Sequence, residues 1–184
     1  MNFTYSAFAR RAAIVMVATV AVAFPQIAIA QTNSLAGTWN FIPDMSTATP
    51  GPVRYKSLML TFSDAAGGQM TVEGVDAQGK PVNGSFAAVP DGKPHPVTGM
   101  TEYDFATLTR FNDTTASYNY SKRKTTVALG NRVLSREGNV LTFREQVYDA
   151  KGKQIGTAVT VFAKPGFDFA SVAPSSVVAA APGG

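Results

Sequence analysis

The chain has 184 residues, no cysteine, one histidine and a formal net charge of +4. This length suits one domain with a well-formed core. The missing cysteine excludes disulfides, thiolate metal sites, cysteine nucleophiles and lipoprotein anchoring. The small excess of basic residues gives no basis for a nucleic-acid partner, and we expect none.

Residues 1–30 have the pattern of a cleaved signal peptide. Two arginines and no acidic residue precede an apolar stretch at residues 12–24, and residues 28–30 read Ala-Ile-Ala, the small-x-small pattern of a signal-peptidase site. The alternative is an uncleaved anchor, but the apolar stretch is shorter than the roughly 20 residues of a spanning helix. We therefore expect a periplasmic or secreted protein that begins at Gln31 and has no membrane span after cleavage. General and twin-arginine export both remain open.

Residues 31–165 show short runs with apolar residues at every second position, each bounded by turn residues. A period of two is typical of half-buried antiparallel strands, and no helical period is sustained here. The sequence therefore predicts an all-β domain of nine or ten strands. The alternating sets are Leu58, Leu60 and Phe62; Met70 and Val72; Tyr103, Phe105, Thr109 and Phe111; Tyr118 and Tyr120; and Leu141, Phe143 and Val147.

Glycine-bearing segments separate these runs and predict hairpin loops of about three to five residues. They are residues 65–68, 76–80, 136–139 and 149–153. Two of them are near copies, because Asp76 and Asp149 each open a turn with a Gly three places later, where a positive φ is tolerated. An internal duplication and a convergence on one good turn sequence explain this repeat equally well.

Three segments lack periodicity. Residues 43–53 and 90–99 are rich in proline and are predicted to be loops. Residues 166–184, rich in Ala, Pro, Ser and Gly, are predicted to be a disordered tail. Antiparallel strands joined in series leave two exposed edges unless the sheet closes. We therefore predict an up-and-down β-barrel of about eight to ten strands over residues 31–165, with an open β-sandwich as the alternative.

The mature domain opens on Leu-Ala-Gly-Thr-Trp at residues 35–39, which resembles the opening of the calycins, the superfamily of lipocalins and fatty-acid-binding proteins. In that superfamily Gly-x-Trp begins the first strand, and the indole plugs the closed end of the barrel. Trp39 is the only tryptophan of this chain. Residues 101–103, Thr-Glu-Tyr, resemble a second lipocalin signature, Thr-Asp-Tyr. The resemblance implies a calycin-like barrel.

A closer likeness is to a group of uncharacterised exported bacterial lipocalin-like proteins, and it spans nearly the whole mature domain. They share Gly-Thr-Trp followed by Pro and Ser, a Pro-Gly-Pro loop, Asp-Ala-x-Gly-Lys turns and a Pro-Val-Thr-Gly stretch. The matching segments here are residues 37–46, 50–52, 76–80, 149–153 and 96–99. This likeness implies a fold and no activity.

The sequence departs from the fatty-acid-binding branch at two places. Those proteins insert two helices after the first strand, whereas residues 43–55 contain three prolines and do not predict helices. Their last strands also carry interior arginines that hold the ligand carboxylate. Arg132 matches one of these, but Thr160 stands near the last-strand position. The resemblance therefore does not carry over a fatty-acid-binding role.

The candidate ligand-binding residues are aromatic and charged side chains that share parity with apolar strand positions. Glu145 shares parity with Phe143, which predicts that it points into the barrel. The alternatives are a bulge that turns Glu145 outward and an ion pair at the rim. Arg110 shares parity with Leu108, and Arg132 shares parity with Leu134. The aromatic residues either line a pocket or only form the core. The candidates are Trp39, Phe105, Arg110, Tyr118, Tyr120, Arg132, Phe143 and Glu145.

No pattern in the sequence indicates catalysis. His95 is the only histidine and lies between two prolines, so neither a zinc site nor a Ser-His-Asp triad is expected. We expect no catalytic residue, no metal and no cofactor. The sequence predicts an exported barrel that binds a small apolar or amphipathic molecule in its interior. The alternative is a cell-envelope module with a solid core that binds a protein partner, and an enzyme ranks third.

Overall fold

The structure, a computed structural model, describes residues 34–64 and 68–169. The predicted signal peptide and most of the predicted C-terminal tail lie outside these residues. The described residues form an all-β domain, and none of their helices is long and apolar enough to cross a bilayer. The strands are β1 (Gly37–Phe41), β2 (Thr47–Thr49), β3 (Tyr55–Phe62), β4 (Gln69–Asp76), β5 (Pro81–Ala87), β6 (Asp91–Pro96), β7 (Phe105–Arg110), β8 (Thr115–Lys122), β9 (Thr125–Leu134), β10 (Val140–Tyr148) and β11 (Gln154–Ala163).

Ten of these strands form a nearly closed antiparallel barrel, which confirms the predicted fold class. The hydrogen-bonded order is β5-β4-β3-β1-β11-β10-β9-β8-β7-β6, with β2 outside it. Neighbours in this order also follow one another along the chain, except where β1 joins β11. At the seam between β5 and the segment after β6, Ser85 and Thr98 exchange two backbone hydrogen bonds of 2.9 Å. The side chain of Met100 packs over Gly84 beside that bridge. The open-sandwich alternative is therefore wrong.

The two similar turns have the same hydrogen bonds. The Asp76 carboxylate accepts from the backbone N–H groups of Gln78 and Lys80 at 2.9 and 2.8 Å. Asp149 repeats this with the corresponding two residues at 2.8 and 2.9 Å. Gly79 and Gly152 have φ values of +87° and +78°, as predicted for the residue three places after the Asp. Local side-chain chemistry therefore sets both hairpins.

Both proline-rich segments were predicted to be loops, and both contain strands. Pro94 and Pro96 lie within β6, which pairs with β7 and borders the seam, so the missing proline N–H groups interrupt few ladder hydrogen bonds. Residues 43–53 contain a 3-10 turn, Pro43–Met45, and the short strand β2, which pairs with β11. The hydroxyl of Ser46 fixes this segment by donating to the Ile42 carbonyl and accepting from the N–H of Val161.

One end of the barrel is closed by large apolar side chains. Trp39 has no exposed surface, and its indole N–H donates to the carbonyl of Leu35 at 2.8 Å. The ammonium of Lys164 lies 5.3 Å from the centre of the indole ring. Phe62 and Leu141 are also fully buried here.

The expectation that Phe105 and Phe111 point inward is wrong, whereas Leu108 is buried, as its interior parity predicts. Phe105 and Phe111 are 39% and 68% exposed, whereas Ala106 and Leu108 are buried. The physical reason is the ladder with β8, which pairs Ala106 with Tyr120 and so fixes the opposite parity inside the barrel. Tyr103 precedes β7 in a loop, and its ring nevertheless stacks on Tyr120 with centroids 4.3 Å apart.

Candidate functional site

A cavity of about 300 Å³ occupies the barrel end opposite the indole of Trp39. Its walls are mostly apolar and aromatic and come from β3, β4 and β8 to β11. They extend inward as far as Leu60, Met70 and Phe162. The space exists partly because β9 contributes the small residue Ala128 at this level, whereas aromatic side chains fill the closed end.

A polar cluster centred on Glu145 lies in the cavity wall. One carboxylate oxygen, Oε1, forms an ion pair with the guanidinium of Arg54, and the other, Oε2, accepts a hydrogen bond from the phenol of Tyr118 at 3.2 Å. The Glu145 side chain is 10% exposed and that of Arg54 is 42% exposed. Glu145 thus points inward, as its parity predicts, and it also has an ion-pair partner at the rim.

Gly130 makes the contact between Tyr118 and Glu145 possible. In the ladder Gly130 is paired with Tyr118 on β8 and with Glu145 on β10, so the three form one row across the barrel. A Cβ atom at Gly130 would overlap the carbonyl oxygen of Arg144 and lie 2.9 Å from the Cα of Glu145. Those atoms belong to the backbone of the next strand and cannot move aside cheaply.

Gly130→Ala is therefore expected to lower the free energy of unfolding by about 1–3 kcal/mol, because the methyl group forces β9 and β10 apart. Urea unfolding followed by circular dichroism measures this change. Leu129→Ala is the control, because Leu129 is the neighbouring residue and its side chain is exposed. It should change the free energy of unfolding by about 0.5 kcal/mol or less. A Gly130→Ala variant as stable as the control would contradict the tight packing of β9 on β10.

Aromatic rings in mutual contact lie next to the polar cluster. Tyr118 and Tyr120 have ring centroids 4.7 Å apart, and Tyr118 lies 5.7 Å from Phe143. Burial raises the pKa values of Tyr118, Tyr120 and Tyr103 above the ordinary tyrosine value. These phenols therefore stay neutral over the whole physiological pH range, and the phenol of Tyr118 donates to Glu145.

Arg132 is a second interior charge and lies deeper than the cavity. Its side chain is inward on β9, 4% exposed, with the guanidinium carbon 5.5 Å from the ring centre of Phe62. Among the described residues, neither the Arg54–Glu145 ion pair nor the Asp91–His95 pair includes Arg132. The pKa of Arg132 is lowered to about 10, mainly because of burial, while Tyr120 acts to raise it and Arg110 acts to lower it.

Arg132→Met is expected to raise the free energy of unfolding at pH 7 by about 1–3 kcal/mol. The folded-state pKa lies below the unfolded one, so the cost of burying this charge is fully present below about pH 10 and is relieved as pH rises further. The advantage of the variant in urea unfolding should therefore shrink above about pH 10. Arg136→Met, at an exposed turn, is the control with no expected effect. A destabilised Arg132→Met would show that the Phe62 contact outweighs desolvation.

The structure brings some of the candidate ligand-binding residues together and separates others. Tyr120, Phe143 and Glu145 line the cavity, and Tyr118 contacts Glu145 from behind. Trp39 and Arg132 are buried nearer the closed end. Phe105 and Arg110 are exposed on β7. The predicted cluster of Glu145 with the two interior arginines is therefore not the one observed, since Arg54 is the ion-pair partner.

Sequence reasoning missed several lining residues at the open end. Arg54, Met100 and Glu102 lie in loops where no strand period indicates direction, and Tyr103, which the alternation grouped with Phe105, lies in the loop before β7. Tyr55 lies in β3, but the ladder with β4 shifts register between Tyr55 and Ser57 and breaks its alternation. The one local signal for these lining residues was the Thr-Glu-Tyr signature at residues 101–103, because Glu102 and Tyr103 both line the cavity.

Comparisons with known proteins leave the family open. No protein-family model and no curated protein matches the chain. Among solved structures, the chain is similar to a redesigned β-barrel, mFAP1, bound to DFHBI, with 14% sequence identity and a TM-score of 0.39. The match covers 73% of this chain and 99% of the other. In the described part of the chain, no three His, Asp or Glu side chains form a group that could hold a metal ion.

Proposed function

We propose that this protein is an exported lipocalin-like barrel that binds a small apolar or amphipathic molecule in its interior. The observation that carries the proposal is the cavity of about 300 Å³ with apolar and aromatic walls and one convergent polar cluster. Apolar walls with a few placed polar groups are the usual composition of ligand pockets. Binding would come from burying apolar ligand surface, at about 25 cal/mol per Å².

The size of the cavity limits the ligand. Its volume is at the lower end of the range for ligand pockets, and equals that of about ten water molecules in the liquid. The rings of Trp39 and Phe62 fill the barrel beyond it. The ligand class is therefore a compact amphipathic molecule and not a long-chain lipid.

Native mass spectrometry tests this function on protein purified without detergent from its own periplasm or culture medium. We expect a bound mass that disappears on denaturation and identifies the ligand class. A clean apo mass that stays unchanged after incubation with a mixed lipid and metabolite extract would contradict binding. The intact mass of the same sample tests export, since a mature chain should begin at Gln31.

The second candidate function is a protein-interaction module of the cell envelope. It is favoured by the apolar side chains of the outer face, where Phe105 and Leu129 lie on the two strands that flank β8, 39% and 42% exposed. Replacing both with Ser should abolish association with a partner and leave small-molecule binding intact. Loss of small-molecule binding in that variant would instead place the ligand on the outer face.

A further inference from the structure

We propose that the ligand of this cavity carries a protonated amine, that Glu145 is its counter-ion, and that Arg54 occupies the cation position while the cavity is empty. The inference rests on the proposed binding function and names the chemical class of the ligand. It is carried by one asymmetric ion pair, in which a buried carboxylate of the cavity wall is held by a guanidinium that reaches it from the mouth.

The difference in exposure decides which partner leaves. Arg54 is 42% exposed and follows an irregular loop, so its guanidinium regains hydration when it swings out. Glu145 is 10% exposed and lies within β10, so it remains in the wall. A buried carboxylate without a partner is costly, and any ligand that displaces Arg54 must supply a replacement cation.

The two oxygens of Glu145 already have separate roles. Oε2 accepts from the phenol of Tyr118, and Oε1 is paired with Arg54. When Arg54 leaves, Oε1 becomes the acceptor for an ammonium N–H, while the Tyr118 hydrogen bond keeps the carboxylate oriented. No strand has to move in this exchange.

The rest of the cavity suits the same cation. Its charged lining groups, among the described residues, are Arg54, Glu102 and Glu145, so displacement of Arg54 leaves two carboxylates and no cation in the lining. Tyr103, Tyr120 and Phe143 also line this space, and aromatic rings attract ammonium groups. Arg132 does not line the cavity.

Calorimetric titration with phenylbutylamine, phenylbutanol and phenylbutyrate tests the proposal, because these probes share one apolar body and differ in charge. The wild-type protein should bind the amine about ten- to a hundredfold more tightly than the alcohol, which is the range of a charge-assisted hydrogen bond in a desolvated site. The acid should bind most weakly, because its carboxylate meets Glu145.

Two variants test the two partners separately. Glu145→Gln should reduce the ratio of amine to alcohol affinity at least tenfold, whereas Glu73→Gln, at an exposed position of β4, should leave that ratio unchanged. Arg54→Gln removes the competing cation at the mouth and should tighten amine binding about three- to tenfold. Arg136→Gln is its control at an exposed turn. Since Arg54 is at the rim, its variant stays informative even if Glu145→Gln is poorly folded.

The outcomes separate this inference from the proposed function. If alcohol and amine bind equally, or the acid binds best, the cavity is a binding site and the amine proposal is overturned. An amine preference that Arg54→Gln weakens would also overturn it, because Arg54 would then assist binding. If no probe binds and the native mass is clean, the proposed function fails, and the inference fails with it.

Discussion

Trp39→Ala is expected to lower the free energy of unfolding by about 3–5 kcal/mol, the largest stability effect of any single change considered for this chain. The indole has no exposed surface and closes one end of the barrel, where its N–H donates to the carbonyl of Leu35. Truncation leaves a cavity in the cluster of buried apolar side chains and an unpaired carbonyl at Leu35. Because small domains are stable by only about 5–15 kcal/mol, this loss is a large fraction of the free energy of unfolding.

Urea unfolding followed by far-UV circular dichroism measures this loss, since the variant has no tryptophan fluorescence. Trp39→Phe is the matched control. It keeps an aromatic ring at the closed end but loses the hydrogen bond to Leu35, and should cost about 1–2 kcal/mol. A loss below about 1 kcal/mol for Trp39→Ala would show that the indole does not hold the barrel closed.

Ala128→Phe is expected to reduce small-molecule affinity at least tenfold while the barrel stays folded. Ala128 is inward on β9, 5% exposed, and lines the cavity, so a phenyl ring at this position occupies the space that a ligand would fill. The cavity has room for the ring, and the cost in stability should stay within about 1–3 kcal/mol. Calorimetric titration with phenylbutanol measures the affinity.

The control for this prediction is one residue away. Leu129→Phe adds the same ring on the opposite face of β9, where Leu129 is 42% exposed, and should leave the affinity unchanged. Equal affinities in wild type and Ala128→Phe would show that the probe binds elsewhere. A loss of affinity in Leu129→Phe alone would place the site on the outer face of the barrel.

The parts of the fold that depend on local chemistry were predicted from the sequence. Asp76 and Asp149 hydrogen-bond the backbone of their own turns, so each hairpin is specified within five residues. Alternation on β3, β4 and β10 gave the correct inward faces, because on those strands the large apolar side chains occupy the buried positions.

The remaining parts depend on pairing between distant segments. On β7 the large residue Phe105 faces outward, because the ladder with β8 fixes parity more strongly than side-chain size. β6 contains two prolines that indicate a loop, but a strand beside the seam tolerates them. Arg54 reaches Glu145 from a loop 91 positions earlier in the chain, and no sequence spacing encodes that contact.

The most direct test of an interior binding site is an NMR measurement of intermolecular nuclear Overhauser effects between bound phenylbutylamine and the methyl groups of the protein. The structure predicts contacts from the probe to Leu58, Met70, Val72 and Ala128, which line the cavity, and none to Leu129 or Ile155 on the outer face. Contacts confined to Leu129 and Ile155 would contradict the interior site and move the function of this barrel to its outer surface.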